Sequence, residues 1–255
     1  MVLKKKVLVT GAAGFVGSHL CELLLKRGYR VIGLFFYDKQ GAERFRSNKN
    51  FQMVKCDIRN FDAVFKIFKE YKQEGIFHTA ALLPSEGKDD VPLNFFEVNA
   101  LGTLNLLEAC RLLNIKKFIY SSSTNIYGRN QKCLRADEKH SVNPSDFYEF
   151  TKLEGENFCK LYYQKYNIRI IILRYAGVFG PGRNQGAVAI FIKNALSDKP
   201  LNILNNINWN IIYVKDVAKA NILAFEKLHK LNFEIINIAI PGEINIKDLA
   251  QKIIK

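Results

Sequence analysis

The sequence predicts an α/β protein built on a doubly wound parallel sheet, followed by a smaller C-terminal lobe. Three observations carry that expectation. Short, wholly apolar segments alternate with segments of helical periodicity, the pattern of strands buried under helices on both faces of a parallel sheet. A glycine-rich turn joins the first strand to the first helix. A hydroxyl-rich strand end is followed by a helix carrying a tyrosine and a lysine four residues apart.

Residues 7–10 read as a short buried strand, and 15–27 as a helix whose apolar face is Val16, Leu20, Leu23 and Leu24, stopping at Gly28. Strands follow at 31–36 and 51–54, a helix at 62–71, and a fourth strand at 76–80. A long helix is expected over about 95–113. The apolar run 118–120 leads into Ser121-Ser122-Ser123-Thr124, and the Ile-rich run 169–174 is another buried strand. Beyond Gly182 the periodicity gives helices at 188–196, 216–228 and 246–254, with short strands at 201–204, 211–214 and 235–238. Residues 1–180 therefore read as a dinucleotide-binding domain. Residues 181–255 read as a small substrate lobe partly interwoven with the sheet.

The turn Thr10-Gly11-Ala12-Ala13-Gly14-Phe15-Val16-Gly17 gives each glycine a separate task. Gly11 allows the tight turn, Gly14 lets a pyrophosphate approach the backbone, and Gly17 lets the helix pack on the strand. The helix start at Phe15 and Val16 offers free N–H groups and a positive dipole end. A carboxylate for the ribose is expected ~20 residues on. Phe35 stands near that place; Asp38 lies three residues later, and Lys39, Arg44 and Arg46 would instead suit a 2′-phosphate. The choice between NAD and NADP stays open.

Tyr148 and Lys152 lie one above the other on a helix face. With the hydroxyls at 121–124 they form a constellation for proton transfer. Lys152 is the cation that favours the Tyr148 phenolate, and a serine hydrogen-bonds the reacting oxygen. Tyrosine ordinarily ionises near pH ~10, so its surroundings must lower that value for a base at neutral pH.

Net charge is +14 over 255 residues, but the lysines are spread along the chain and interleaved with acids. That is a solvated surface rather than a nucleic-acid stripe. Cys21, Cys56, Cys110, Cys133 and Cys159 are scattered, odd in number and without Cys-x-x-Cys spacing, and the four histidines are dispersed. Neither a disulfide framework nor a metal site is expected. No apolar run reaches the ~18 residues of a membrane span, and the basic start runs straight into a strand. A cytoplasmic location without membrane attachment is the expectation.

Together these residues resemble the extended short-chain dehydrogenase/reductase family, in its NAD-dependent epimerase/dehydratase (UDP-glucose 4-epimerase-like) branch. The resemblance rests on the glycine turn, Asp57-Ile58-Arg59, His78-x-Ala80-Ala81, Asn99-x-x-Gly102-Thr103, Ser121 to Gly128 and Tyr148-x-x-x-Lys152. It continues through Leu173-Arg174-Tyr175, Gly180-Pro181-Gly182 and Ile212-Tyr213-Val214-x-Asp216-Val217, covering nearly the whole chain. It implies a Rossmann-type fold, NAD as cofactor with NADP as the alternative, a nucleotide-sugar substrate, and a homodimer formed through the helices at 95–113 and 147–165. Carried over by position, Gly11, Gly14, Phe15, Val16 and Gly17 surround the pyrophosphate. Asp38 would reach the ribose, and Asp57 and Ile58 match the adenine contacts. Ala80, Ala81 and Asn99 border the cofactor, and Ser123, Tyr148 and Lys152 match the catalytic residues, Lys152 also holding the nicotinamide ribose.

Departures from the family pattern narrow the chemistry. The branch's 4,6-dehydratases follow the catalytic Thr with Asp-Glu; Thr124 and Asn125 stand there and cannot eliminate water. Gly177 replaces an Asn that contacts the sugar diphosphate, and Trp209 replaces an Arg that grips the nucleotide. Thr124, Gly177, Arg183 and Trp209 are thus the substrate-side candidates, with Arg183 a possible phosphate contact and Trp209 able to stack on a base. The resemblance also implies a reduced lobe, because family members usually continue beyond the position of Lys255. The leading expectation is a nucleotide-sugar epimerase. The alternatives are an NAD(P)H-dependent reductase of a small carbonyl compound, or a non-catalytic dinucleotide sensor.

Overall fold

The computed structural model describes residues 5–37, 40–84, 91–128, 136–203 and 208–254. Its strands are β1 (Lys6–Thr10), β2 (Arg30–Phe35), β3 (Phe51–Lys55), β4 (Gly75–His78), β5 (Lys117–Ser123), β6 (Arg169–Tyr175), β7 (Gly177–Phe179), β8 (Asn208–Trp209), β9 (Ile211–Tyr213), β10 (Phe233–Ile238) and β11 (Ile244–Asn245). Its helices are α1 (Phe15–Lys26), α2 (Phe61–Tyr71), α3 (Pro92–Phe95), α4 (Gly102–Leu112), α5 (Phe147–Tyr166), α6 (Ala187–Ala195), α7 (Val214–Leu231) and α8 (Ile246–Ile254).

Seven strands form one parallel sheet in the order β10-β6-β5-β4-β1-β2-β3. Order reverses between β1 and β4, which makes the sheet doubly wound. The apolar runs become strands because both faces are covered. One core holds Leu20 and Leu24 of α1 with Val217, Phe225 and Leu228 of α7. The other holds Val64 and Phe68 of α2, Leu106 and Cys110 of α4 and Cys159 of α5. Ile170, Ile171 and Ile172 are fully buried, alternating between these cores. Each such side chain contributes about 1.5–3 kcal/mol relative to exposure.

Beyond residue 180 the chain goes to two places. α7 packs on the main sheet and β10 extends it beside β6. Phe191 of α6 and Ile246 and Ala250 of α8 instead form a separate small core, with Leu201 and Ile203 against it.

Several elements differ from the sequence expectation. The fourth strand ends at His78 rather than at 80, because Thr79 and Ala80 turn to bond Thr10. The helix expected over 95–113 is three pieces, α3, a π-helical turn at Phe96–Leu101 and α4. Residues 201–203 are not a strand, and Val214 opens α7 instead of closing β9. β7 was not expected; three residues are too few for periodicity to show.

Tyr120 sets how closely α5 lies on the sheet. Its hydroxyl donates to the Lys152 carbonyl at 3.2 Å, and a methyl group on Gly155 would run into that hydroxyl. Gly155→Ala is expected to destabilise the fold by about 1–3 kcal/mol through overpacking, read as a lower denaturant midpoint at unchanged slope.

Candidate active site

The carboxyl ends of β1, β4 and β5 meet at one edge of the sheet, where register sets Thr10 beside His78 and His78 beside Tyr120. This edge, at the reversal of strand order, is where doubly wound sheets bind ligands.

The glycine turn is built as a cradle. Gly11 has φ +67°, and a Cβ there would stand 2.8 Å from the Ala80 Cα, so only glycine passes so close to the end of β4. A methyl group on Gly17 would run into the Gly11 carbonyl, so α1 starts directly on the turn. Gly14 precedes the helix in an extended conformation, no side chain caps that end, and no acid stands in the first turn. The first-turn N–H groups at Phe15, Val16 and Gly17 therefore turn a positive helix end to the cleft. A bare Gly14 with an uncapped terminus fits a dinucleotide pyrophosphate.

Behind the cradle runs a closed polar ladder. Thr10 Oγ1 and His78 Nδ1 are 2.7 Å apart, and His78 Nε2 and Thr103 Oγ1 2.9 Å. Thr103 donates its own proton to the Asn99 carbonyl at 2.5 Å, so it accepts from Nε2–H, and Thr10 donates to Nδ1. Burial, then the charge of Lys152, holds the His78 pKa well below the ordinary histidine range. A neutral ring with both nitrogens engaged is a strut, not a base. Asn99 sits in the π-helical turn, an irregularity common at functional sites. Its amide accepts from the Leu82 N–H at 2.8 Å and donates to the Leu82 carbonyl at 3.1 Å and to Thr151 at 3.2 Å. Asn99 thus clamps the segment after Ala80 and Ala81 to α5.

α5 begins where it does because Asp146 caps it, its carboxylate accepting from the Glu149 N–H at 2.8 Å. Glu149 reaches back to accept from the Ser145 N–H at 2.6 Å and hydroxyl at 2.9 Å. Tyr148 is thereby fixed as the second residue of the helix. Burial pushes its phenol up to about 12, opposed by the Ser123 hydrogen bond and the Arg183 guanidinium and reinforced by Asp146 and Glu149. Lys152, a turn later, places Nζ 4.3 Å from the Tyr120 ring centroid. Burial brings its ammonium down to about 8, while Glu156 works to raise it. At neutral pH the lysine is charged and the tyrosine protonated.

Asp57 is gripped by Arg59, whose Nε and Nη2 donate to its two oxygens at 3.0 and 2.7 Å. That bond, first among its causes, lowers the Asp57 pKa. Ile58 is buried against Gly102. Asp38 and Lys39 lie outside the described residues. Arg44 pairs with Glu22 at 3.2 Å and Arg46 with Glu43 at 3.3 Å. On the other side of the cleft, Thr124 donates to the Tyr175 carbonyl at 3.3 Å. Gly177 lies on β7, which pairs with β9, and donates to the Asn210 carbonyl at 3.1 Å, whereas Trp209 lies on β8, which pairs with β11. No hydrogen bond among the described residues joins either to Tyr148.

Sequence reasoning did not assign Glu156, Asp146 and Glu149 a part in this site. The Asp-x-x-Glu spacing and the placement of Glu156 four residues after Lys152 were signals for them. Tyr120 left none.

A Rossmann-type sheet with an uncapped glycine turn, and a serine, tyrosine and lysine placed around its strand ends, defines an extended short-chain dehydrogenase/reductase. More narrowly, the chain belongs to the NAD dependent epimerase/dehydratase family, which it matches over residues 7–239. It is 34% identical over 229 residues to the UDP-glucose 4-epimerase of Mycolicibacterium smegmatis, covering 86% of this chain and 72% of that protein. To the UDP-glucuronate 4-epimerase of Thermodesulfobacterium geofontis it is 32% identical over 242 residues, covering 91% and 74%. The crystal structure of UDP-glucuronic acid 4-epimerase from Bacillus cereus in complex with NAD superposes with a TM-score of 0.83 at 35% identity, over 95% of this chain and 81% of that one.

Proposed function

We propose that the chain is an NAD-dependent 4-epimerase of a UDP-linked sugar. The observation that carries the reading is Tyr148 one turn before the buried Lys152 on α5, a helix packed on β5 with its terminal Ser123, at the same sheet edge as the uncapped glycine turn. The related proteins named above, two of them acting on UDP-uronates and one on UDP-glucose, supply the substrate class. Arg44 and Arg46 already have carboxylate partners, which favours NAD over a 2′-phosphorylated cofactor. The glycine turn would hold the pyrophosphate, Asp57 and Ile58 the adenine side, and Ala80, Ala81, Asn99 and Lys152 the nicotinamide side. Bound there, NAD supplies a reversible hydride acceptor.

The residues' own steps then follow. Tyr148, protonated in the protein alone, would be ionised by the Lys152 charge together with the positive charge that bound NAD would add. As phenolate it takes the proton from the sugar hydroxyl as its carbon loses hydride. Ser123 hydrogen-bonds the same oxygen and holds it against the phenol. The keto sugar turns in the cleft, and Tyr148 returns the proton after hydride comes back to the opposite face. Thr124 and Asn125 offer no carboxylate, and the Thr124 hydroxyl is engaged with the backbone, so water elimination has no acid or base. We place α6, β8, β11 and α8 as the substrate lobe, with Gly177, Trp209, Arg183 and Thr124 facing the nucleotide sugar.

The test is mass spectrometry of nucleotide released from denatured protein, followed by titration with UDP-sugars. Retained NAD and UDP-sugar binding support the reading. NADP preference without UDP-sugar binding would move it to a carbonyl reductase, and a cofactor-free protein that shifts on RNA as salt falls would move it to a sensor.

We also propose a homodimer. Leu93, Phe96, Phe147 and Phe150 are exposed around a hollow of about 610 Å³ at the start of α5, an apolar patch of the kind that marks an interface. Phe150→Glu is expected to halve the mass measured by light scattering; an unchanged mass would remove this surface from the interface. The four described cysteines are free and buried, as suits a reducing cytoplasm, and no helix among the described residues is long and apolar enough to cross a membrane.

A further inference from the structure

The end of β2 is aromatic where doubly wound sheets that bind dinucleotides usually carry a carboxylate for the ribose. Phe35, Phe36 and Tyr37 follow one another there. Backbone bonds fix this end between its neighbours. The Ala12 N–H of the glycine turn donates to the Leu34 carbonyl at 3.0 Å, and the Cys56 N–H after β3 donates to the Phe35 carbonyl at 2.8 Å. Phe36 nevertheless stays 39% exposed and Tyr37 69%. Their rings meet edge to face with centroids 4.8 Å apart. The Arg59 guanidinium carbon lies 5.6 Å from the Phe36 centroid, within reach of a cation–π contact.

Arg59 cannot easily leave that place. Its backbone N–H and its Nε both donate to one Asp57 oxygen at 3.0 Å, and Nε and Nη2 donate to the other at 3.0 and 2.7 Å. Nη1 donates to Glu97 of the π-helical turn at 3.2 Å. Asn105 of α4, itself buried, donates to the Ile58 and Arg59 carbonyls at 3.0 and 2.9 Å and so fastens the segment. An ionised carboxylate offers about four acceptor positions. Arg59 fills two on each oxygen of Asp57, which leaves none for the amino group of a base. An open, braced ring thus stands two residues past the carbonyl that bonds the glycine turn, beside a carboxylate already spent.

We propose that Phe36, braced by Arg59, is the platform on which the adenine of the cofactor stacks, and that Asp57 serves this end of the cleft by holding Arg59 instead of accepting from the base. Every base has a π-face, so stacking tolerates a change at the base's edge. The inference rests on the dinucleotide reading of the cleft and concerns binding alone, not turnover.

The test compares the parent, Phe36→Ala and Phe36→Trp by equilibrium dialysis with labelled NAD. An NAD analogue with purine in place of adenine, lacking only the 6-amino group, is measured by competition. Phe36→Ala is expected to bind NAD about tenfold more weakly, within the range that one base–aromatic stack supplies, and Phe36→Trp within about twofold of the parent. The purine analogue is expected to match NAD on the parent and to weaken with it on Phe36→Ala. Undiminished binding by Phe36→Ala, or Phe36→Trp as weak as Phe36→Ala, overturns the platform. A purine analogue about tenfold weaker than NAD on the parent overturns the part given to Asp57, because a lost hydrogen bond to a charged group has that size. A parent that binds no NAD overturns the dinucleotide reading and this inference with it. A parent that binds NAD no better than Phe36→Ala does removes the inference alone.

Discussion

Tyr148→Phe is expected to bind its nucleotide and its sugar like the parent and to turn over at least ~10³-fold more slowly, within the range that removal of a positioned acid–base group produces. The substitution deletes one oxygen. The capping of α5 by Asp146 and Glu149 does not involve that oxygen, so the helix, Lys152 above Tyr120 and the Asn99 clamp should persist. Near-normal turnover in this variant would remove Tyr148 from the mechanism. A loss of turnover matched by a loss of nucleotide binding would instead mean that the phenol has a structural part. Equilibrium dialysis with labelled NAD beside single-turnover kinetics separates the two results.

The largest stability effect is expected at Arg174, in the ion pair beneath the serine cluster. Its Nε and Nη2 donate to the two Glu156 oxygens at 3.0 and 2.7 Å, and Ser122 donates to the same carboxylate at 2.5 Å. Arg174 Nη1 donates to the Tyr127 hydroxyl at 2.7 Å, which in turn donates to Asn237 of β10 at 2.9 Å. Both charged side chains are about 5% exposed. Arg174→Met leaves the Glu156 carboxylate buried without its cation, which costs about 3–5 kcal/mol and should lower Tm by about 10 °C. Arg174→Met combined with Glu156→Leu should recover much of that loss, because no charge is left stranded. A single variant as stable as the parent would show that water reaches the pair.

The fold was legible because parallel strands buried on both faces are written as uninterrupted apolar runs, as at 7–9 and 170–173. The glycine turn was legible for a steric reason: Gly11 and Gly17 stand where any Cβ would strike backbone. Tyr148 and Lys152 could be paired from their spacing alone. The electrostatics could not. Lys152 is expected to be the cation that favours the Tyr148 phenolate; what its place in the chain does not show is that burial brings its ammonium down to about 8 while Glu156 works to raise it. Only tertiary packing desolvates it. The π-helical turn was hidden for a related reason: Asn99 is held by Leu82 and Thr151, and neither distance shows in local periodicity. Glu156 owes its part to β6, which places Arg174 beside it from a distant stretch of chain.

The central claim is a hydride removed from a sugar carbon and returned to its other face. It is tested most directly by proton NMR of purified protein incubated with UDP-glucose and with UDP-glucuronate in heavy water, without added nucleotide. The account predicts conversion of one of them to its C4 epimer, up to an equilibrium mixture, with the C4 hydrogen retained and no deuterium entering that position. Epimer formation with deuterium at C4, or no epimer from either substrate in a protein that carries NAD, would contradict it.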